Sequence, residues 1–253
     1  MTLNDQQNEF LYTKLESFGY SPNEIAIVKA CLTGELIDFE SDETELQVAS
    51  QLVNIADYNL FGSSFYYEKM ALYDLDEQKC QILGIKPFVQ VSDQIISDLL
   101  AAQLDFQKDG YQLFVKEGYR SKLTYAYVYI RKALKSSRAE ADRIYNPLNR
   151  PHSSGMAVDL VLFHNGKQVK MRDAAAGDDG LFYGYYDHLS TFSLFQEYLI
   201  AVMRNHKFNL ASKGEYFHFN HRHLGAEPYV AFPIRFLAEL RAIGFLDEPI
   251  ILG

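Results

Sequence analysis

The chain has 253 residues, 48% of them hydrophobic, which is enough for a substantial buried core and excludes a disordered chain. Its formal net charge of −9, from 24 basic and 33 acidic side chains, works against the phosphate attraction that nucleic-acid and anionic-membrane binding rely on, so neither is an expected partner. Two cysteines, Cys31 and Cys80, are too few and too scattered for a disulfide framework or a cysteine zinc site, so any metal site must draw on His, Asp and Glu.

The N-terminus, MTLNDQQNEF, lacks a basic start followed by an apolar segment, and no run of about 18 apolar residues follows, so the expectation is a cytoplasmic protein. Phe10, Leu11, Leu15 and Phe18 recur at helical spacing over residues 8–18. Ser21, Pro22 and Glu24 have the form of a capping box with proline in the first turn, predicting a second helix that runs to about Gly34. These two helices form a small N-terminal extension over residues 1–46, whose last part, IDFESDETEL, is an acidic connection. Residues 47–253 then read as one α+β domain, a central antiparallel sheet flanked by helices. Ser92 caps a helix carrying Ile95, Ile96, Leu99, Leu100 and Phe106, Gly110 leads into the strand YQLFVKEG, and a helix follows over residues 122–134. In residues 156–171 an apolar run, an Asn165-Gly166 turn and a second alternating run make a type I′ hairpin. Its first strand places Ala157, Asp159, Val161 and Phe163 on one face and Val158, Leu160 and Leu162 on the other. Phe192, Phe195, Leu199 and Val202 predict a further helix, and GEYFHFNHRH, residues 214–223, a last strand.

A carboxylate among apolar neighbours needs a partner, and the seven histidines supply the candidates. His164 adjoins the hairpin turn and His206 a helix end, where capping or solvation is the ordinary role. His152 lies seven residues before Asp159, His218 three after Glu215, and each pair adjoins a predicted core strand. Two neutral imidazoles and one carboxylate make a three-ligand zinc site with an open fourth position, leaving Glu215 to take the proton from a water that attacks a carbonyl. The same spacing also fits core histidines hydrogen-bonded to buried acids, and spacing alone leaves both readings open. Residues three apart on a regular strand face opposite sides, so Glu215 and His218 converge only if the strand begins irregularly near Gly214. His221 and His223, two apart, share one side of that strand and either support the metal ligands from behind or are solvated, the second reading being favoured.

The stretch HSSGMAVD, followed after a hairpin and helix by GEYFHF, resembles the S-x-H-x-x-G-x-A-x-D and E-x-W-H signatures of the zinc D-alanyl-D-alanine peptidases. Glu117-Gly118-Tyr119-Arg120 resembles the D-G-Y-R-P element of the VanX-type dipeptidases in that family, Tyr58 to Gly62 their N-F-x-G segment, and Tyr185-Tyr186-Asp187 their F-D segment, all in the same order. The resemblance spans roughly residues 47–235. It implies one zinc ion per chain held by His152, Asp159 and His218, Glu215 as catalytic base, Arg120 as the group that polarises the scissile carbonyl, and Asp187 as partner of the substrate's ammonium group. It also implies a hydrolase of D-alanyl-D-alanine or a related small peptide, with a use in cell-wall peptide turnover. A D,D- or L,D-carboxypeptidase acting on longer cell-wall peptides and a non-catalytic zinc-binding protein of the same fold are the alternatives. The ordinary readings of Arg120 and Asp187 are a surface salt bridge with Glu117 and a helix-cap carboxylate.

Arg150 stands where the family has serine two before the histidine, and its forked guanidinium either binds a substrate carboxylate or closes the pocket to the usual dipeptide. Tyr216 and Phe217 replace a tryptophan doublet, Ser121 replaces a proline, and Lys207-Phe208 replaces a G-F pair.

Overall fold

The two N-terminal helices begin on side chains that replace the hydrogen bonds a first turn lacks. Helix α1 (Asp5–Ser17) opens on Asn4, whose side chain accepts the Gln7 N–H while Gln7 reaches back to the Asn4 N–H. Helix α2 (Pro22–Thr33) opens on the expected Ser21–Glu24 box and closes on Gly34 in the left-handed conformation, φ 78°. The computed structural model of the chain describes residues 2–35, 51–145, 150–169, 194–211 and 217–224. The expected boundary at residue 46 and the acidic run before it lie outside the described residues.

Beyond the acidic run come β1 (Leu52–Asn54), β2 (Phe61–Gly62), α3 (Phe65–Glu68), α4 (Glu77–Leu83), β3 (Gln90–Ser92), α5 (Asp93–Lys108) and β4 (Gln112–Glu117). Helices α6 (Lys122–Lys135) and α7 (Arg138–Ile144) follow, then the hairpin β5 (Ala157–His164) and β6 (Lys167–Gln168), helix α8 (Leu194–Asn205), and strands β7 (Phe208–Leu210) and β8 (His218–His221). The contacts divide the chain into two compact units, residues 1–49, 64–87 and 120–154 in the first and 50–63, 88–119 and 155–253 in the second.

In the first unit α1 and α2 pack together and α2 lies along α6. Leu11, Leu15, Ile25, Val28 and the aromatic residues Tyr127 and Tyr129 of α6 are all buried. Ser121 caps α6 and its hydroxyl, with that of Thr124, donates to the Leu83 carbonyl at the end of α4. Cys31 and Cys80 are buried as free thiols, and burial pushes both up to about 11, which keeps them protonated at neutral pH.

The second unit is built on the α+β plan that the alternating runs predict. Its sheet has the order β2-β4-β5-β8-β7, with β6 beside β5, and every pairing is antiparallel except that of the two-residue β2, which runs parallel to β4. Strands β1 and β3 form a separate antiparallel pair. Asn165 and Gly166 both take positive φ, 50° and 77°, as the type I′ turn demands. Period-two alternation places Leu113, Val115, Val158, Leu160, Leu162 and Phe219 in one apolar core with Ile95, Leu99 and Phe106 of α5 and Leu199 and Val202 of α8. Each such side chain withdrawn from water contributes about 1.5–3 kcal/mol, so this face fixes the register and thereby decides which residues stand on the opposite face.

Candidate metal centre

Register brings the polar residues of that opposite face into a row. Asp159 pairs across the ladder with His218 on one side and with Glu117 on the other, and all three are buried. Glu117 reaches this position through a bulge: Val115 stands opposite Leu160 and Glu117 opposite Asp159, so two residues of β4 advance against one of β5. The extra residue, Lys116, moves Glu117 from the core face of Val115 to the face of Asp159. Asn220, two residues beyond His218 and therefore on the same face, completes the set.

His218 is held from both ring nitrogens, Nδ1 lying 2.8 Å from Asp159 Oδ1 and Nε2 lying 3.0 Å from Asn220 Oδ1. A neutral imidazole carries a single N–H, so it can donate to only one of two facing acceptor oxygens. The Asn220 amide can also turn to donate, but a cation ligated by one nitrogen while the other donates its proton satisfies both sides, and a metal-bound histidine is ordinarily oriented in that way. His152 is 2% exposed in the short 3-10 turn Pro151–Ser154, and one ligand atom from each of His152, Asp159 and His218 lies within 4.8 Å of the other two. Two imidazoles and one carboxylate, shielded from water and this close together, fit a divalent metal of the zinc type, and the group can hold one.

The chain turns between His152 and Asp159 at Gly155, φ 70°, whose carbonyl accepts the Ser92 N–H at 2.8 Å. A Cβ at Gly155 would lie 2.8 Å from both the Ser92 nitrogen and Leu52 Cδ2, so the position needs glycine for conformation and for space. Main-chain bonds strap His152 to the arginine loop. The His152 carbonyl accepts the Arg120 N–H at 3.2 Å, the Arg120 carbonyl accepts the Ser153 hydroxyl at 2.8 Å, and the His152 N–H donates to the Tyr125 hydroxyl at 3.3 Å. The Arg120 guanidinium lies against two rings, its central carbon 5.0 Å from the Tyr66 centroid and 4.6 Å from that of Tyr125. Just before it Gly118 passes so close to β3 that a Cβ there would strike the Gln90 carbonyl, the same oxygen that accepts the Tyr119 N–H at 2.6 Å.

The remaining candidates separate. The Arg150 guanidinium packs on the Tyr20 ring at 5.6 Å. Glu215 and Asp187 lie outside the described residues, as does His188. Strand β8 begins at His218, after a turn at Phe217. His164 Nδ1 lies 2.9 Å from the Gly110 carbonyl and His206 Nε2 2.8 Å from Asp105 Oδ2, contacts to residues 54 and 101 positions away rather than the local capping or solvation expected of them. For His221 the expectation of a solvated side chain is wrong. Strand β8 ends at His221 and a 3-10 turn, Arg222–Leu224, takes His223 out to solvent, while His221 is 0% exposed and its Nε2 lies 2.9 Å from Asp98 of α5. Burial holds His221 below its ordinary value and outweighs the opposing pull of Asp98. Burial likewise resists the charge on Asp98, but hydrogen bonds from Lys207 and His221 prevail and hold its carboxyl below the usual range. The contact is therefore a hydrogen bond from the Nε2–H of a neutral ring to the Asp98 carboxylate at pH 7, with Lys207 as the cation. Sequence reasoning did not single out Asn220, Tyr66 or Tyr125. Asn220 was within reach by period-two spacing from His218, whereas Tyr66 comes from a helix distant in sequence and Tyr125, five residues after Arg120, from the helix that follows it.

No protein-family model and no curated protein matches the chain. Among solved structures it is similar to an LdcB LD-carboxypeptidase, a structure described as revealing the molecular basis of peptidoglycan recognition, with 15% identity and a TM-score of 0.39. The similarity covers 52% of this chain and 59% of that one, under two thirds of its length. Among the described residues no helix is long and apolar enough to cross a membrane.

Proposed function

We propose that this chain is a zinc-dependent peptidase that hydrolyses D-alanyl-D-alanine or a related small dipeptide. The observation that carries the reading is the buried convergence of His152, Asp159 and His218, the three residues that the sequence signature marks as ligands. A zinc ion bound there supplies Lewis acidity and lowers the pKa of a water at the open position. Glu215 takes the proton from the attacking water and passes it to the leaving amine as the peptide C–N bond breaks, so the proton balance closes within one residue. Arg120 keeps its charge at any working pH, and its forked donors meet the negative charge that grows on the carbonyl oxygen. Its two flanking rings hold the guanidinium in place before substrate arrives, which is the preorganisation such stabilisation requires. Asp187 pairs with the substrate's free ammonium group, and Arg150 offers a charge of the right sign to its C-terminal carboxylate. The physiological setting of such an activity is cell-wall peptide turnover.

The test is D-alanine release from free D-alanyl-D-alanine by zinc-loaded protein, with Glu215→Ala and an N-acylated dipeptide run in parallel. Chelator-sensitive release from the free dipeptide alone, lost in the variant, is the expected result. Release from the N-acylated substrate at an equal rate replaces the dipeptidase reading with that of a carboxypeptidase. Zinc binding without any release leaves a metal-binding protein and ends the peptidase reading.

A further inference from the structure

The N-terminal helices lie outside the stretch that carries the peptidase signature, yet they meet α6 one turn from Arg120. The Tyr20 hydroxyl donates to the Lys122 carbonyl at 2.9 Å. Lys122 Nζ lies 2.6 and 2.8 Å from the two Glu24 carboxylate oxygens, 3.2 Å from the Gly19 carbonyl and 4.7 Å from the centre of the Tyr20 ring. Glu24 is 7% exposed, so this ion pair is largely shielded from water and is anchored through the Ser21 cap as well. The Tyr20 ring carries the Arg150 guanidinium too, at 5.6 Å, and Arg150 opens the turn that contains His152.

Arg120, Ser121 and Lys122 are consecutive, and each is fixed by a different element. Arg120 is strapped to His152 and Ser153, Ser121 is bonded to the Leu83 carbonyl, and Lys122 is gripped by α2 and the residues before it. The anchors at Ser121 and Lys122 both come from segments that contribute no ligand to the metal group, and the one at Lys122 is supplied by the N-terminal helices. We propose that Tyr20 and Glu24 are positioning residues for Arg120: by fixing the first residue of α6 they hold the Arg120 guanidinium between Tyr66 and Tyr125, ready for the carbonyl oxygen. This assigns the N-terminal helices a share in turnover, and it rests on the reading of Arg120 as the oxyanion partner.

The test uses two variants that spare the fold. Glu24→Gln keeps an acceptor for the Ser21 N–H, since glutamine also serves in a capping box, and removes the charge together with one of the two oxygens that face Lys122. Tyr20→Phe keeps the ring and removes the hydroxyl. In full-length, zinc-loaded protein the Nε–H resonance of Arg120, assigned by its disappearance in R120K, reports the guanidinium's setting without reference to activity. In both variants that resonance shifts or broadens, kcat for D-alanyl-D-alanine falls on the order of tenfold while KM changes by less than about twofold, and zinc affinity in a chelator competition is unchanged. In an R120K background Glu24→Gln then has no further effect on kcat, because the residue it acts through is already lost. An unmoved resonance, or a full additional loss of kcat in R120K, shows a merely structural contact and overturns the proposal. Should the wild type release no D-alanine, the resonance alone decides: movement keeps the positioning role while the substrate assignment falls.

Discussion

Replacement of Gly155 by alanine tests whether the turn between the two proposed ligand segments is as constrained as its geometry says. At φ 70° an alanine occupies the left-handed region, which costs a residue with a Cβ about 1–2 kcal/mol. The new Cβ also lies 2.8 Å from the Ser92 nitrogen and from Leu52 Cδ2. Leucine can shift, but the Ser92 nitrogen is main chain, held by its own bond to the Gly155 carbonyl at the start of α5. Overpacking of this kind costs about 1–3 kcal/mol, and the smaller entropy of an unfolded alanine offsets about 0.4–1 kcal/mol. The net expectation is about 2–4 kcal/mol, and at about 2–4 °C per kcal/mol for a chain of this size the midpoint of thermal unfolding falls by roughly 4–16 °C. The chain has no tryptophan, so far-ultraviolet circular dichroism of the zinc-loaded protein is the assay. Gly155→Asn separates the two terms, because asparagine tolerates positive φ but brings the same Cβ; it recovers part of the loss and not all of it. A shift below about 2 °C for Gly155→Ala would refute the claim that Ser92 and Leu52 close this position.

Two further outcomes follow from the same face of the sheet and its reverse. Asp159→Asn keeps the shape of a side chain facing His218 but replaces an anionic ligand by a neutral amide, so zinc affinity falls by more than the ~100-fold upper range for loss of an outer hydrogen-bond partner, as measured against a chromophoric chelator. His221, faced by Asp98, Lys207 and His223, is held below its ordinary value of 6.5, so the unfolded chain binds a proton that the folded chain resists as pH falls below 6.5. Its contribution to stability is therefore complete above that pH and declines below it, by up to ~1.4 kcal/mol per pH unit, and His221→Asn removes this part of the pH dependence in denaturant titrations.

What the sequence disclosed was set by range. The Ser21–Glu24 box, the Ser92 cap and the Asn165-Gly166 turn are contained in a few consecutive residues, and each stands where its local chemistry predicts. The alternation over residues 157–163 was equally legible, since Val158, Leu160 and Leu162 enter the core and Asp159 stands opposite. His152, Asp159 and His218 could be picked out because two short motifs carried them, not because their meeting was visible. The burial of His221 depended on Asp98, 123 residues earlier on α5, and no spacing within β8 discloses it. The grip of Tyr20 on Lys122 joins residues 102 apart, so a helix pair that reads as an appendage in the sequence is bonded into the first unit. The bulge at Lys116 was hidden for a different reason: Glu117 continues the alternation of β4, and only pairing with β5 reveals that it has changed faces.

That bulge sets two buried carboxylates opposite one another on neighbouring strands, Glu117 at 5% exposure and Asp159 at 2%. Like charges so placed repel at a separation where little water intervenes, and cross-strand pairs of one sign are destabilising unless positive charge stands close by. A divalent cation held at Asp159 adds positive charge beside both acids. Glu117 thus contributes to metal affinity through the field it sets at Asp159, without being one of the three ligands. Glu117→Gln removes that charge at nearly constant volume, and zinc affinity then falls on the order of tenfold, whereas Glu140→Gln, in helix α7, leaves it unchanged. The measurement is a zinc competition titration of both variants at low and moderate salt, because a field acting through a buried site is weakly screened and the tenfold gap persists as salt is raised. Equal affinity of Glu117→Gln and wild type would show that the bulge serves the sheet alone and that the balance of charge at Asp159 is struck without Glu117.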